Sequence, residues 1–135
     1  MQKGGSIMNK FILLVRNDID HQAAWSPEQH LQFLIKCEDY IEKLTKEGQL
    51  KSAQPLVRKD KVIFGSKGSW KEGLFNGTKE VIVGYYHIFA EALNDAIVIA
   101  KGNPEFEYAT TARIEVCPIK MREESTGYVY NEATN

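Results

Sequence analysis

The chain has 135 residues, 43% of them hydrophobic and 26% charged, which suits one globular domain that buries a continuous core without disulfides or a structural metal. Seventeen basic against eighteen acidic side chains leave a formal net charge of −1, so no global positive field draws the chain to nucleic acid or to an anionic membrane surface. No run of about 18 apolar residues is present to span a bilayer, and Cys37 and Cys117 lack the paired spacing of zinc or redox motifs, so neither a metal nor a cofactor is expected.

Residues 1–8 are short and polar, without the apolar stretch of a signal peptide; they read as a flexible extension, and the cytoplasm is the expected location. Residues 11–16 are apolar at both parities, which describes a strand covered on both faces. Residues 17–25 show no sustained period and read as a loop carrying Asp18, Asp20, His21 and Trp25. Ser26, Pro27 and Gln29 then form a strong helix start, with Ser26 as cap and Gln29 completing a capping box. The helix that follows places Leu34, Cys37, Ile41 and Leu44 on one stripe, flanked by Leu31, Phe33 and Tyr40, and stops at Gly48.

Residues 53–79 mix glycine, lysine and short apolar pieces, which predicts short strands and turns around residues 59–60 and 65–68. Residues 80–90 are β-branched and aromatic at both parities and predict the central strand. Leu93, Ala96, Ile97 and Ala100 form a second helical stripe that ends at Gly102, Asn103 and Pro104. Residues 112–120 alternate, with Ile114, Val116 and Pro118 on one face and Arg113, Glu115, Cys117 and Ile119 on the other. The domain is expected to span residues 9–121, followed by a polar tail over 122–135 that is mobile unless it docks.

The order strand, helix, strand, strand, helix, strand matches an α+β, ferredoxin-like protomer with both helices on one sheet face. Two helices leave the other face bare, although its strands are apolar there as well. A second copy packed sheet on sheet is the simplest cover.

Within residues 71–86, Gly73, Phe75, Lys79, Glu80, Gly84, Tyr85 and Tyr86 resemble the pattern of the YCII-related, or DGPF, family. The resemblance extends upstream to Gly48 and Pro55 and downstream to Gly102, Pro104 and Ile114. Glu72 and Leu74 stand where that family has Asp and Pro. The resemblance implies a dimeric α/β barrel built from two ferredoxin-like protomers. It names no reaction, since fold-level likeness does not choose a chemistry.

The candidate site residues follow from strand order and parity. Arg16, His87, Arg113 and Glu115 are expected to converge if they share the face away from the helices. His87 would act as general acid or base, with a core histidine bonded to Glu115 or a backbone carbonyl as the plainer alternative. Arg16 and Arg113 would grip an anionic group or pair with Glu115 across the structure. Lys79 and Tyr85 are further ligand-binding candidates. Asp18, Asp20 and His21 lie close enough to hold a metal or to pair as base and orienter, with Trp25 walling a pocket and Asp20 as a second candidate base. The functional expectation is a homodimer binding a small anionic organic ligand, with cofactor-independent enzymatic proton transfer as an option. The alternative is a non-catalytic regulatory module that binds a protein partner involved in transcription. Neither nucleic acid nor a membrane is an expected partner.

Overall fold

A computed structural model of the chain describes residues 8–57, 61–74 and 80–130. The described elements run β1 (Asn9–Asp18), α1 (Pro27–Lys46), β2 (Leu50–Pro55), β3 (Lys61–Ser66), β4 (Ser69–Leu74), β5 (Glu80–Ala90), α2 (Leu93–Lys101), α3 (Glu105–Tyr108) and β6 (Arg113–Pro118). β2, β5, β1 and β6 form, in that order, a four-stranded antiparallel sheet, and β3 and β4 form a separate hairpin. The molecule is therefore α+β, compatible with a ferredoxin-like arrangement. In the sheet the first strand lies between the central strand β5 and the last strand β6.

Parity separates the two sheet faces. Phe11, Leu13 and Val15 of β1 are buried, as are Tyr86, Ile88 and Ala90 of β5, and Leu44, Ala96, Ile99 and Ala100 close over them from α1 and α2. Each large side chain so buried contributes about 1.5–3 kcal/mol from removal of apolar surface. Lys10, Ile12, Leu14 and Arg16 alternate with the core residues and face the opposite, uncovered side, where they meet Phe89, His87 and Tyr85 of β5.

α1 starts as its sequence dictates. The Ser26 hydroxyl accepts from the Gln29 backbone N–H at 3.1 Å, and the Gln29 side chain accepts from the Ser26 N–H at 2.9 Å. The expected stripe is rotated, however: Phe33, Tyr40, Ile41 and Leu44 turn inward, while Leu34 and Leu31 are exposed. The cause is a cavity under the middle of α1, which leaves Leu34 at its mouth rather than in a packed interior. On α2, Ile99 replaces the expected Leu93 and Ile97 among the buried residues.

Two glycines sit where a side chain has no room. A Cβ at Gly84 would approach the Gln54 carbonyl oxygen at 3.0 Å, so β2 and β5 run close together there. At Gly65, φ is +113° and a Cβ would lie 2.4 Å from the Ser69 oxygen, which ties glycine to the β3–β4 turn. That turn falls in the predicted 65–68 segment; residues 59–60 and the 1–7 extension lie outside the described residues. Beyond β6, the predicted tail turns back at residues 121–130: Arg122 bridges Val129, and the Tyr130 N–H donates to the Met121 carbonyl at 3.0 Å.

Candidate functional site

β1 continues two residues past its predicted end. Asn17 and Asp18 belong to the strand, and strand alternation sends them to opposite faces. Asn17, fully buried, shares the helix side with Phe11, Leu13 and Val15. Asp18 points the other way, to Arg113 at 3.4 Å. The chain then turns, with the His21 N–H donating to the Asp18 carbonyl at 3.1 Å and the Ala23 N–H to that of Asp20 at 2.9 Å. These turns fold His21 back beneath α1.

There His21 meets Glu105, the first residue of α3. His21 Nε2 lies 3.4 Å from Glu105 Oε2, and both side chains are under one-tenth exposed. The same carboxylate oxygen accepts from Asn17 Nδ2 at 2.6 Å. Asn17 Oδ1 in turn accepts from the Thr111 hydroxyl at 2.6 Å and from the Asp18 N–H at 2.9 Å, which fixes the Asn17 amide so that its NH2 faces Glu105. Trp25 stands behind the pair, edge to face with His21 at 6.0 Å and in contact with Phe33 and Tyr108.

The hydrogen bonds assign the protons. His21 Nδ1 is 2.8 Å from the Asp18 carbonyl oxygen, an acceptor only, so Nδ1 carries a hydrogen. His21 Nε2 is thereby the ring nitrogen turned to Glu105, and an imidazole nitrogen beside a carboxylate oxygen is the pairing from which general acid–base groups are built.

The pair opens on a cavity of about 910 Å3 between α1 and the sheet. Val15, Phe33, Leu34, Ile41 and Val83 supply apolar wall, and Asp20, His30, Glu38 and Asn103 add polar groups. Val83 reaches the wall through a bulge, since the β1–β5 register passes from Val15↔Gly84 to Arg16↔Ile82. Cys37 also lines the cavity, but burial, with the Glu105 charge adding, pushes its thiol up to about 12. It is no nucleophile at neutral pH.

The other predicted residues lie elsewhere. Arg16, His87, Arg113 and Glu115 share the open sheet face, and three of them converge: Arg16 pairs with Glu115 at 3.0 Å and with Glu80 at 3.8 Å, and Glu80 also holds Arg113 at 3.0 Å. His87 sits opposite Ile12 and Ser52, four strand positions and roughly 13 Å along β1 from Arg16. Among the described residues its buried Nε2 has no hydrogen-bond partner; desolvation chiefly, with Lys51 and Lys10, lowers its pKa. Glu115 is thus partnered by Arg16 and not by His87. Tyr85 lies on the same face, opposite Leu14. Asp20 and His21 both line the cavity, while the Asp18 side chain turns to Arg113, and among the described residues no group of three metal-ligating side chains occurs. Lys79 lies outside the described residues.

The sequence model of the YCII-related domain matches residues 10–120. The chain belongs to the YCII-related domain family. The match runs from β1 to the end of β6 and so takes in the whole four-stranded sheet and both partners of the His21–Glu105 pair. No curated protein matches the chain. Among the described residues, no helix is long and apolar enough to cross a membrane.

Sequence reasoning missed Glu105, Asn103, Asn17 and Tyr86. Asn17 carried a legible signal, because it has the parity of the buried residues 11, 13 and 15. Glu105 carried none, since residues 102–104 read only as a helix stop.

Proposed function

We propose that this YCII-related chain binds a small, largely apolar organic molecule beneath α1 and exchanges a proton with it through His21 and Glu105. One observation carries this: a buried histidine–carboxylate pair opens on a cavity of the size that small ligands occupy, walled mainly by apolar side chains. An anionic ligand gripped by arginines has less support, because Arg16 and Arg113 are each ion-paired within the chain. A purely regulatory role would need neither the cavity nor the buried pair.

The test is an NMR fragment screen on protein labelled at its methyl groups. Fragments that bind should shift the methyls of Leu34, Ile41 and Val83, and Leu34→Trp, which fills the cavity mouth, should abolish those shifts while leaving the fold intact. Shifts that survive in Leu34→Trp, or an unresponsive wild type, would refute cavity binding.

We also propose that a second copy covers the open sheet face and closes a barrel. Ile12, Leu14, Tyr85 and Phe89 share that face, and no helix of the described chain covers them, an arrangement that favours association. Two-fold symmetry would bring each patch onto its own image.

A further inference from the structure

The cavity wall is sorted by charge. His30, Phe33, Leu34, Cys37, Glu38 and Ile41 line it from α1. They recur every three or four residues, so they form one stripe of the helix, and Glu38 shares the cavity side with the apolar residues. The lysines of α1 lie off that stripe. Lys36 pairs with Glu107 at 3.6 Å and Lys46 with Glu42 at 2.9 Å, while Lys43 stands beside Asp39 and Glu42 on another surface of the helix. Asp20 joins the wall from the turn after β1 and Glu105 from α3, and among the described residues neither lysine nor arginine lines the cavity.

The three carboxylates are not equivalent. Glu105 is buried and already meets Asn17 and His21. Asp20 and Glu38 are exposed, which puts them at the mouth with Leu34. Among the described residues neither has an ion-pair partner, whereas Asp18, Glu80, Glu107 and Glu115 each have one. Asn103 gives an independent sign that the cavity receives a ligand. It is 4% exposed and lines the wall. Its Oδ1 accepts from the Glu105 N–H at 2.8 Å, which fixes the amide, and its buried Nδ2 has no hydrogen-bond partner among the described residues. Buried polar groups are nearly always satisfied, so this wall has a hydrogen bond left to give to an occupant.

An anionic ligand would meet these carboxylates without a compensating lysine or arginine. A neutral one would gain nothing from Asp20 and Glu38. A cation gains from both, and because they stand at the mouth its charged head keeps contact with water and escapes the full cost of burying a charge. Unpaired negative charge around an opening also concentrates cations there before they bind.

We propose that the ligand of this cavity is an organic cation, with an apolar body between α1 and the sheet and a protonated amine at the mouth facing Asp20 and Glu38. This rests on the cavity being a small-molecule site, and the test separates the two ideas. Three probes share one skeleton: 2-(aminomethyl)naphthalene, 2-(hydroxymethyl)naphthalene and 2-naphthoate. Each is titrated at neutral pH and low salt into the wild type, into the double variant Asp20→Asn with Glu38→Gln, and into a control, Asp39→Asn with Glu42→Gln, which removes the same charge from another surface of α1. The Leu34, Ile41 and Val83 methyls report binding. The wild type should bind the amine about three- to tenfold more tightly than the alcohol, the gain expected of two exposed carboxylates, and the carboxylate most weakly; added salt should narrow the gap. The mouth variant should bind amine and alcohol equally, with the alcohol affinity unchanged, and the control should keep the wild-type preference. Equal binding of amine and alcohol by the wild type, tightest binding of the carboxylate, or an amine preference that survives in the mouth variant or is lost equally in the control would overturn the cation while leaving the cavity a site. If none of the three probes moves the methyls, binding in the cavity is refuted, and the cation with it.

Discussion

Replacing Glu105 with alanine removes the carboxylate on which the buried polar network converges. Asn17, fully buried, loses the acceptor of its Nδ2 at 2.6 Å, and His21 loses its partner at 3.4 Å. A buried donor left without a partner costs about 1–3 kcal/mol. Relief of the carboxylate's own desolvation offsets part of that. The alanine variant should therefore unfold about 2–4 kcal/mol more easily than the wild type. Glutamine should cost only about 1–2 kcal/mol, because its carbonyl still accepts from Asn17 and its amide still fills the space beside His21 Nε2. Urea unfolding followed by circular dichroism measures both, with an unchanged slope as the check on two-state behaviour. In a double-mutant cycle with Asn17→Ala, the two alanine substitutions should be non-additive by about 1–2 kcal/mol. An alanine variant within about 0.5 kcal/mol of wild type, or strict additivity with Asn17→Ala, would show that these groups do not form one network and would remove the basis of the acid–base pair.

Alkaline stability is a second test. Burial raises the Cys37 thiol from 9.0 to about 12 and moves Tyr40 and Tyr86 in the same direction. Above pH 9 the unfolded chain gives up the Cys37 proton while the folded chain keeps it, so stability should fall between about pH 9 and 12, seen as a declining urea midpoint. At pH 8 native Cys37 should react with a thiol reagent about a thousandfold more slowly than in the denatured chain, which mass spectrometry after timed alkylation reads directly. Leu13, fully buried in the core, should cost about 2–5 kcal/mol when cut to alanine, measured by thermal or urea denaturation. On the open sheet face, Ile12→Asp should leave the protomer folded yet shift sedimentation from twice the 15.3 kDa chain mass to that mass alone; a wild type that sediments as a monomer would refute the barrel.

Local physics made much of the framework legible in the residues. The capping box at Ser26 and Gln29, the left-handed Gly48 and the β-branched run over 80–90 each express a short-range preference, and each element formed where its residues placed it. Parity grouped Arg113 with Glu115 and Tyr85 with His87, and the register across the sheet puts both groups, with Arg16, on one face. Parity could not say how far apart they stand, because the distance between strand positions depends on register, and register is set by contacts across the sheet. The family resemblance added what periodicity lacks, a likeness of the whole domain, now shown over residues 10–120.

The site itself depended on tertiary structure. His21 was visible as one polar residue in a loop, and Glu105 lies 84 residues further along the chain, beyond a helix stop. Only the turn after β1 and the short α3, both folded against the same side of the sheet, bring them to 3.4 Å. The same packing rotated α1 away from its simplest apolar stripe and left a cavity where a continuous core was expected. Sequence pattern encodes which face of an element is apolar; whether two such faces meet tightly or enclose a void is decided by side chains distant in sequence. That is why the strands could be read from the residues alone, while the pocket beside His21 and Glu105 could not.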